Sequence, residues 1–211
     1  MMRALLLPLL ALTACATPPD HAPWVALFDG QSLDGWQATN FGGEGPVVVV
    51  DGALELDFGS PLTGLTWTGT APDGDYDLEV VAARVDGTDF FCGLTFPVRD
   101  AHLTLVLGGW GGSLCGLSSL DGEDAANNDS QRLFRFESGR DYRVQVRVRR
   151  DVVDVLLDDA PFLHVPIAGR TLSLRPEVEL NRPLGIASFS TRSRVRTLRW
   201  RPAGGLRRHN G

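Results

Sequence analysis

Apolar and polar residues alternate with a period of two along most of the chain, which is the pattern of strands that bury one face. The clearest run is 142–149, Tyr-Arg-Val-Gln-Val-Arg-Val-Arg, whose arginine-rich face we interpret as a solvated one. The segments 54–58, 76–85, 103–107 and, less strictly, 195–201 alternate in the same way. Beyond the N-terminal region no segment shows the 3.6-residue period of an amphipathic helix. The pattern therefore predicts many strands and almost no helix.

Asp-Gly pairs separate these segments, at 29–30, 34–35, 51–52, 73–74, 86–87 and 121–122. Asp-Gly tolerates the positive φ angles of tight hairpin turns, so each pair marks a short connection between strands. Short strands joined by regular turns predict an all-β fold, an antiparallel two-sheet sandwich of jelly-roll type. We predict one such domain over 24–202, followed by a loose tail at 203–211.

The first fourteen residues predict an export signal rather than a part of the fold. Their apolar stretch, 4–12, is too short to span a bilayer. The sequence Leu12-Thr13-Ala14-Cys15 resembles the lipobox of bacterial lipoproteins, in which the cysteine is lipidated and becomes the new N-terminus. An ordinary cleaved signal with an incidental cysteine is the alternative. The lipoprotein interpretation implies a lipid on Cys15 as the sole membrane contact and a stiff tether at 15–23. Because Ala16 is not aspartate, it also implies a cell-envelope location at the outer membrane, on its periplasmic or surface side.

The charge of the chain disfavours one class of partner. Its 20 basic residues are all arginine and its 26 acidic residues give a net charge of −6. A negative surface repels phosphate backbones, so nucleic-acid binding is not expected.

Two cysteines follow Cys15, at positions 92 and 115. Three consecutive antiparallel strands between residues 90 and 120 would align Cys92, Leu107 and Cys115 side by side. The two cysteines would then lie about 9.6 Å apart, two strand spacings, whereas bridged Cα atoms lie within about 7 Å. We predict buried free thiols, with a disulfide formed in an oxidising compartment as the alternative.

The segment 24–36 reads WVALFDGQSLDGW, 47–56 reads VVVVDGALEL and 75–80 reads DYDLEV. Together with Pro183-Leu184-Gly185-Ile186-Ala187 and 198–201 (LRWR), these segments resemble signatures of the 3-keto-disaccharide hydrolase domain family, which is abundant in bacterial lipoproteins. The resemblance implies a concanavalin-like or laminin-G-like jelly roll. It also implies cleavage of glycosides that have been oxidised to a ketone at sugar carbon 3.

Two strands depart from the family pattern. The segment 91–96, FCGLTF, stands where the family has an Asn-Ser-Gly strand, and 103–107, LTLVL, has no acid where the family has Glu-x-Gln. Because these are polar positions of the family's concave face, the chain resembles a divergent branch. A non-catalytic glycan-binding module is therefore the alternative function, and a structural envelope lipoprotein without a ligand is a third.

The implied reaction sets what the site must contain. The ketone acidifies the C2 proton, a base removes it, the C1 substituent leaves by elimination, and water adds back. His102, at the start of a strand, is the first acid–base candidate because histidine titrates near neutral pH. Asp121 and Glu123 of an acidic loop are further catalytic candidates. A purely structural role is the alternative for each.

Sugar binding requires an exposed aromatic ring and polar side chains. Trp110 stands between two Gly-Gly pairs and is the first candidate for stacking on a sugar, with a core position as the alternative. Trp67 is the second. Arg99 and Arg132 are candidates for polarising an oxygen, with surface ion pairing as the alternative, and Asn128 is a candidate for hydrogen bonding to the sugar.

No cofactor is predicted, but the loop 121–129 makes calcium a lesser candidate, against the alternative of a solvated loop. Its potential oxygen ligands are Asp121, Glu123, Asp124, Asn127 and Asp129. On the strand 75–80, Asp75, Asp77 and Glu79 lie opposite the apolar side chains, and we interpret them as facing water, with an acidic triad like that of retaining sandwich glycosidases as the alternative.

Overall fold

The computed structural model describes residues 22–204. The predicted signal, residues 15–21 of the tether and residues 205–211 of the tail lie outside this range. No helix within it is long and apolar enough to cross a membrane.

The described range contains fifteen strands and one short 3-10 helix. The strands of the first half are β1 (Val25–Ala26), β2 (Trp36–Ala38), β3 (Val47–Val50), β4 (Ala53–Leu56), β5 (Leu62–Trp67), β6 (Tyr76–Gly87), β7 (Cys92–Val98) and β8 (Ala101–Gly109). The others are β9 (Leu114–Ser118), β10 (Arg132–Leu133), β11 (Tyr142–Arg149), β12 (Val152–Leu157), β13 (Ala160–Pro166), β14 (Gly185–Phe189) and β15 (Thr191–Pro202), with the 3-10 helix at Pro176–Asn181.

The strands form two antiparallel sheets. Sheet A has the order β13-β12-β11-β6-β15-β4-β3, with β1 paired to β15, and sheet B has the order β10-β9-β8-β7-β14-β5-β2. The predicted all-β two-sheet jelly roll is therefore confirmed.

Residues that alternate along the strands fill the space between the sheets. In β11, Val144 and Val146 are fully buried whereas Arg143 is exposed. Facing them from sheet B, Leu94 and Leu105 are fully buried as well. Burying such side chains stabilises the fold by about 2 kcal/mol each, so the alternation read from the sequence is also the main source of stability.

The register of sheet B confirms the prediction for the cysteines. Cys92 pairs with Leu107, and Leu107 pairs with Cys115, so one strand separates the two thiols. Both cysteines are free and buried. Burial raises the pKa of Cys92 to about 12 and that of Cys115 to about 11, so both remain unreactive thiols at neutral pH.

The interpretation that Asp77 and Glu79 face water is wrong. Both point to the outer face of sheet A, but their side chains are only 2% and 3% exposed. Arg149 and Arg201 bind the Asp77 carboxylate at 2.7 and 2.9 Å, and Arg199 binds Glu79 at 2.6 Å. The central strand β6 lies between β11 and β15, whose long arginine side chains reach across it and cover the acids.

Candidate functional site

A cleft of about 240 Å³ opens on the outer face of sheet B. Thr104 and Val106 of β8 and Ser118 of β9 form its floor, because these positions alternate with the core residues of the same strands. The segment around the 3-10 helix and the loops that carry Asp89 and Trp110 complete its lining.

The turn after β8 holds Trp110 at the rim of this cleft. Trp110 itself has a φ of 48°, in the left-handed region, and Gly108, Gly111 and Gly112 also have positive φ, which glycine adopts without strain. The indole is 42% exposed and lines the cleft, so it does not plug the core. Its role in binding stays a prediction.

A buried arginine fixes this turn from below. Nη2 of Arg84 donates to the carbonyl oxygens of Gly108 at 3.0 Å, Gly112 at 2.9 Å and Asp89 at 3.1 Å. Arg84 is only 6% exposed, and its burial lowers its pKa although the charge of Asp89 opposes that shift. A side chain at position 108 would strike this guanidinium, so Gly108 is required for the close contact.

Beside Trp110 lies an arginine between two carboxylates. The Arg175 guanidinium is 5.7 Å from the centre of the Trp110 ring. It donates to Glu177 Oε1 at 2.7 Å and to Asp124 Oδ2 at 2.6 Å. The hydrogen bond from Arg175 lowers the pKa of Glu177, which is therefore ionised at neutral pH. The cation is fixed at the indole and points into the cleft.

Asp89 supplies a second carboxylate to the cleft. Its Oδ1 accepts from the backbone N–H of Phe90 at 2.8 Å, and its Oδ2 accepts from that of Gly111 at 3.2 Å. Within residues 22–204 Asp89 forms no ion pair. Its charge is therefore neutralised less than that of Glu177.

The remaining wall of the cleft is apolar. The rings of Phe90 and Phe189 lie with their centres 5.7 Å apart, and Leu62 lines the same side. A Cβ at Gly93 would lie 2.8 Å from the Phe90 ring, so glycine at this position lets the ring rest on the sheet. The cleft thus combines an apolar wall with an indole, a guanidinium and two carboxylates.

The structure does not bring His102 and Arg99 into the cleft. They lie at the far end of β8, and the eight residue steps from His102 to Trp110 correspond to about 26 Å along a strand. Burial, and next the charge of Arg182, lower the pKa of His102. Arg99 donates to the Ile167 carbonyl oxygen at 3.3 Å.

The candidates in the acidic loop also lie apart from Trp110. Asp121 accepts from Arg170 Nε and from the Thr171 N–H, both at 2.8 Å, and these contacts lower its pKa. Glu123 is exposed in a neighbouring polar depression, which the Arg175–Asp124 pair also lines.

Three further binding candidates are occupied by contacts within the fold. Asn128 donates to the Leu117 and Glu123 carbonyl oxygens at 2.8 and 3.0 Å. The Arg132 guanidinium stacks on Phe162 at 4.6 Å. Trp67 packs 5.1 Å from Trp36 and donates to the Thr70 carbonyl oxygen at 3.2 Å. None of the three lines the cleft.

Arginines take the place of a cation in the acidic loop. Arg170 binds both Asp121 and Asp129, while Arg175 binds Asp124. In the part of the chain that the structure describes, no three His, Cys, Asp or Glu side chains converge as metal ligands. The calcium candidates Asp121, Glu123, Asp124, Asn127 and Asp129 therefore do not form a site in this geometry.

Sequence reasoning missed Asp89, Arg175, Glu177 and Arg84. One of them carries a signal: Arg84 continues the inward row of the strand 76–85, where only apolar residues are expected. An arginine there must bind buried oxygens. Arg175 and Glu177 come from a segment far from Trp110 in sequence, and no local pattern points to them.

The two-sheet sandwich with a cleft on one outer face is the architecture of a carbohydrate-related jelly-roll domain. Residues 23–201 match the family model of the 3-keto-alpha-glucoside-1,2-lyase-like domain, so the chain belongs to this family. A search of curated proteins finds no match.

Solved structures with the same fold are distant in sequence. A carbohydrate-binding module, CBM66 from Bacillus subtilis, is 12% identical with a TM-score of 0.55, covering 79% of this chain and 95% of its own. The Crh5 transglycosylase in complex with NAG is 13% identical with a TM-score of 0.61, covering 89% and 88%. The VIP36 exoplasmic/lumenal domain in its Ca2+/Man3GlcNAc-bound form is 11% identical with a TM-score of 0.55, covering 87% and 89%. At these identities the likeness shows the fold alone.

Proposed function

We propose that the cleft binds a sugar ring against Trp110 and that the protein cleaves glycosides carrying a ketone at C3, by elimination followed by hydration. The observation that carries this proposal is the exposed Trp110 indole beside the Arg175 guanidinium and two carboxylates in one cleft. Membership of the 3-keto-alpha-glucoside-1,2-lyase-like family supports the reaction class. The sugars named with the Crh5 and VIP36 structures support a carbohydrate ligand.

Each group has one role in this proposal. Trp110 stacks on the apolar face of the ring, and Arg175 donates to the C3 oxygen, where negative charge develops as the enolate forms. Asp89 accepts the C2 proton, because within residues 22–204 it forms no ion pair whereas Glu177 is held by Arg175. The C1–O bond then breaks, the leaving group takes up a proton, and a C1–C2 double bond remains. Water adds across this bond and completes the hydrolysis.

The purified chain, incubated with 4-nitrophenyl 3-keto-α-glucoside, is expected to release nitrophenolate. The same glycoside with a hydroxyl at C3 lacks the acidic C2 proton and should stay intact. Asp89→Asn is expected to lower kcat/KM by about 100-fold or more. Trp110→Ala should weaken binding by about tenfold, whereas Phe58→Ala, an exposed aromatic outside the cleft, should change neither. Equal release from both glycosides, or unchanged affinity in Trp110→Ala, contradicts the proposal.

One observation favours a second candidate, a non-catalytic glycan-binding module. Both carboxylates of the cleft already accept hydrogen bonds, Glu177 from Arg175 and Asp89 from two backbone N–H groups. Binding of unoxidised glycosides through Trp110 without any release from the keto substrate would select this candidate.

We also propose that the protein is exported and anchored to the outer membrane through a lipid on Cys15. The resemblance of Leu12-Thr13-Ala14-Cys15 to a lipobox supports this proposal. In a bacterial host the mature chain should begin at Cys15 and carry the mass of a lipid, and Cys15→Ser should remove that mass. A mature N-terminus at another residue contradicts the proposal.

A further inference from the structure

The two ends of the cleft differ in chemistry. Trp110, Arg175 and Glu177 form one end, where a polar ring finds both stacking and hydrogen-bond partners. Phe189 is the last residue of β14, two strands from β8 in sheet B, and packs on Phe90 to form the other end, where the two rings offer a ligand no hydrogen bond. A ligand that fills the whole cleft therefore needs one polar part and one apolar part.

The hydroxyls of the floor, on Thr104 and Ser118, are buried and have partners within the sheet. Thr104 Oγ1 is already paired with Thr95 Oγ1 at 2.9 Å, and the Ser118 hydroxyl lies 3.3 Å from that of Ser119. Val106, the next residue of β8 on this face, offers no hydrogen bond and pairs with Gly93, on which the Phe90 ring rests. Sugar hydroxyls placed against Phe90 and Phe189 would lose their water and find only the Asp89 carboxylate, which already accepts from two backbone N–H groups, and this disfavours a second sugar at this end.

The size and geometry suit an aromatic ring. The cleft holds about 240 Å³, and an apolar cavity of roughly 150 Å³ is known to accommodate benzene. The Phe90 and Phe189 rings are tilted by 41°, and a third ring can pack against them at the 4.5 to 7 Å spacing that aromatic groups prefer. Gly93 fixes the Phe90 ring on the sheet, so the wall exists before a ligand arrives.

We propose that the apolar end, formed by Phe90, Phe189, Leu62 and Val106, binds the aromatic aglycone of a glycoside whose sugar ring lies at Trp110. This inference rests on the proposed function, because it takes Trp110 as the sugar platform. It narrows the substrate class from disaccharides to aryl glycosides.

Calorimetry with two simple ligands tests this inference on the full chain. Phenyl α-glucoside is expected to bind at least about tenfold more tightly than methyl α-glucoside, because only its aglycone fills the apolar end. Phe189→Ala should reduce the affinity for the phenyl ligand to that for the methyl ligand while leaving the latter unchanged. Phe58→Ala is the matched control and should keep the full preference.

A second variant guards against a folding defect. Val106→Thr keeps the side-chain volume and places a hydroxyl at the apolar end, so it should lower the preference for the phenyl ligand. Because Val106 is only 5% exposed, the variant should unfold at a lower temperature but still cooperatively. Equal affinities for the two ligands in the parent protein, or a preference that survives both variants, overturns the inference.

The same titrations separate this inference from the proposed function. If both ligands bind equally and both need Trp110, the sugar site stands and the aglycone site is rejected. If the phenyl ligand binds more tightly but Trp110→Ala changes neither affinity, Trp110 is rejected as the sugar platform. The inference is then rejected too, because it places the sugar ring at Trp110. If neither ligand binds, the inference is rejected, and the proposed function is decided by the release of nitrophenolate from the 3-keto-glycoside alone.

Discussion

The outer faces of the two sheets carry the same ionic groups in different surroundings. On sheet A, Asp77 is 2% exposed and lies between Arg149 and Arg201, which come from its two neighbouring strands. In the sheet B cleft, the Glu177 side chain is 47% exposed and its partner Arg175 is 37% exposed. Both pairs are short, at 2.7 Å. Distance alone therefore does not distinguish a structural ion pair from a functional one.

What separates the two regions is the origin of the partners. On sheet A the arginines stand on strands adjacent to β6, so strand pairing itself places them over the acid. In the cleft, Arg175 and Trp110 belong to segments outside the strands, and their charged and aromatic faces remain accessible. A pair that covers its own sheet contributes to stability, whereas a pair that leaves open surface is available to a ligand.

The largest expected effect comes from breaking the pair on sheet A. Asp77→Ala should lower the free energy of unfolding by about 3 kcal/mol, because it leaves Arg149 and Arg201 without their shared carboxylate. Urea denaturation measures the change. Asp75→Ala removes an exposed acid next to the same strand and should alter stability by less than about 0.5 kcal/mol. Equal effects of the two substitutions on stability would refute the distinction between the covered pair on sheet A and the open pair in the cleft. A loss of glycoside cleavage in Asp77→Ala would refute it as well.

The next effect concerns the support beneath the cleft. Arg84→Met removes the donor shared by three carbonyl oxygens and also removes a buried charge. Because the loss of the hydrogen bonds outweighs the gain from removing the charge, the free energy of unfolding should fall by about 1 to 2 kcal/mol. The substitution should also weaken glycoside binding, because the turn that carries Trp110 loses its anchor. Arg147→Met is the matched control, since Arg147 binds only the side chain of Gln145, on the same strand. Unchanged binding in Arg84→Met would contradict this role.

Much of the fold follows from local pattern. The alternation at 142–149 predicts β11, the Asp51-Gly52 pair marks the β3–β4 turn, and the strand spacing alone separates Cys92 from Cys115. These features depend on residues close in sequence or on one regular ladder. Alternation gives the side of a sheet on which Asp77 lies, but it carries no information on which side chains of neighbouring strands cover it.

The site is predicted less well, because several of its residues come together from segments that are far apart in the sequence. The glycines around position 110 indicate an exposed Trp110, because they act on their own turn. Arg175 approaches that indole only after the long connection between β13 and β14 crosses the sheet. His102 lies at the start of β8 and Trp110 just beyond its last residue, so the extended chain places them at opposite ends.

A smaller effect should appear when the open pair is broken. Glu177→Gln removes the charge but keeps the size of a side chain that is 47% exposed, so the free energy of unfolding should change by less than about 1 kcal/mol. The turnover of 3-keto-glycosides should fall more clearly, because Arg175 loses the charge of one of the two carboxylates that hold it beside Trp110. Glu177→Gln should therefore affect turnover more than stability, whereas Asp77→Ala should affect stability more than turnover. Urea denaturation and kcat/KM, measured on the same sample, test it, and a large loss of stability with intact turnover would contradict it.

The smallest effect is a pH dependence at the far end of β8. Burial, and next the charge of Arg182, lower the pKa of His102 in the folded state, although Glu179 acts in the opposite direction. The unfolded chain, with a histidine pKa of about 6.5, therefore binds the proton more readily. Stability is unaffected by this group above about pH 6.5, falls as the pH drops below that value, and levels off once the pH is below the folded-state pKa. His102→Gln should remove this part of the decline while leaving glycoside cleavage intact, since His102 lies outside the cleft. Urea denaturation of both proteins over this pH range measures the difference, and identical pH profiles would show that burial of His102 contributes nothing to acid sensitivity.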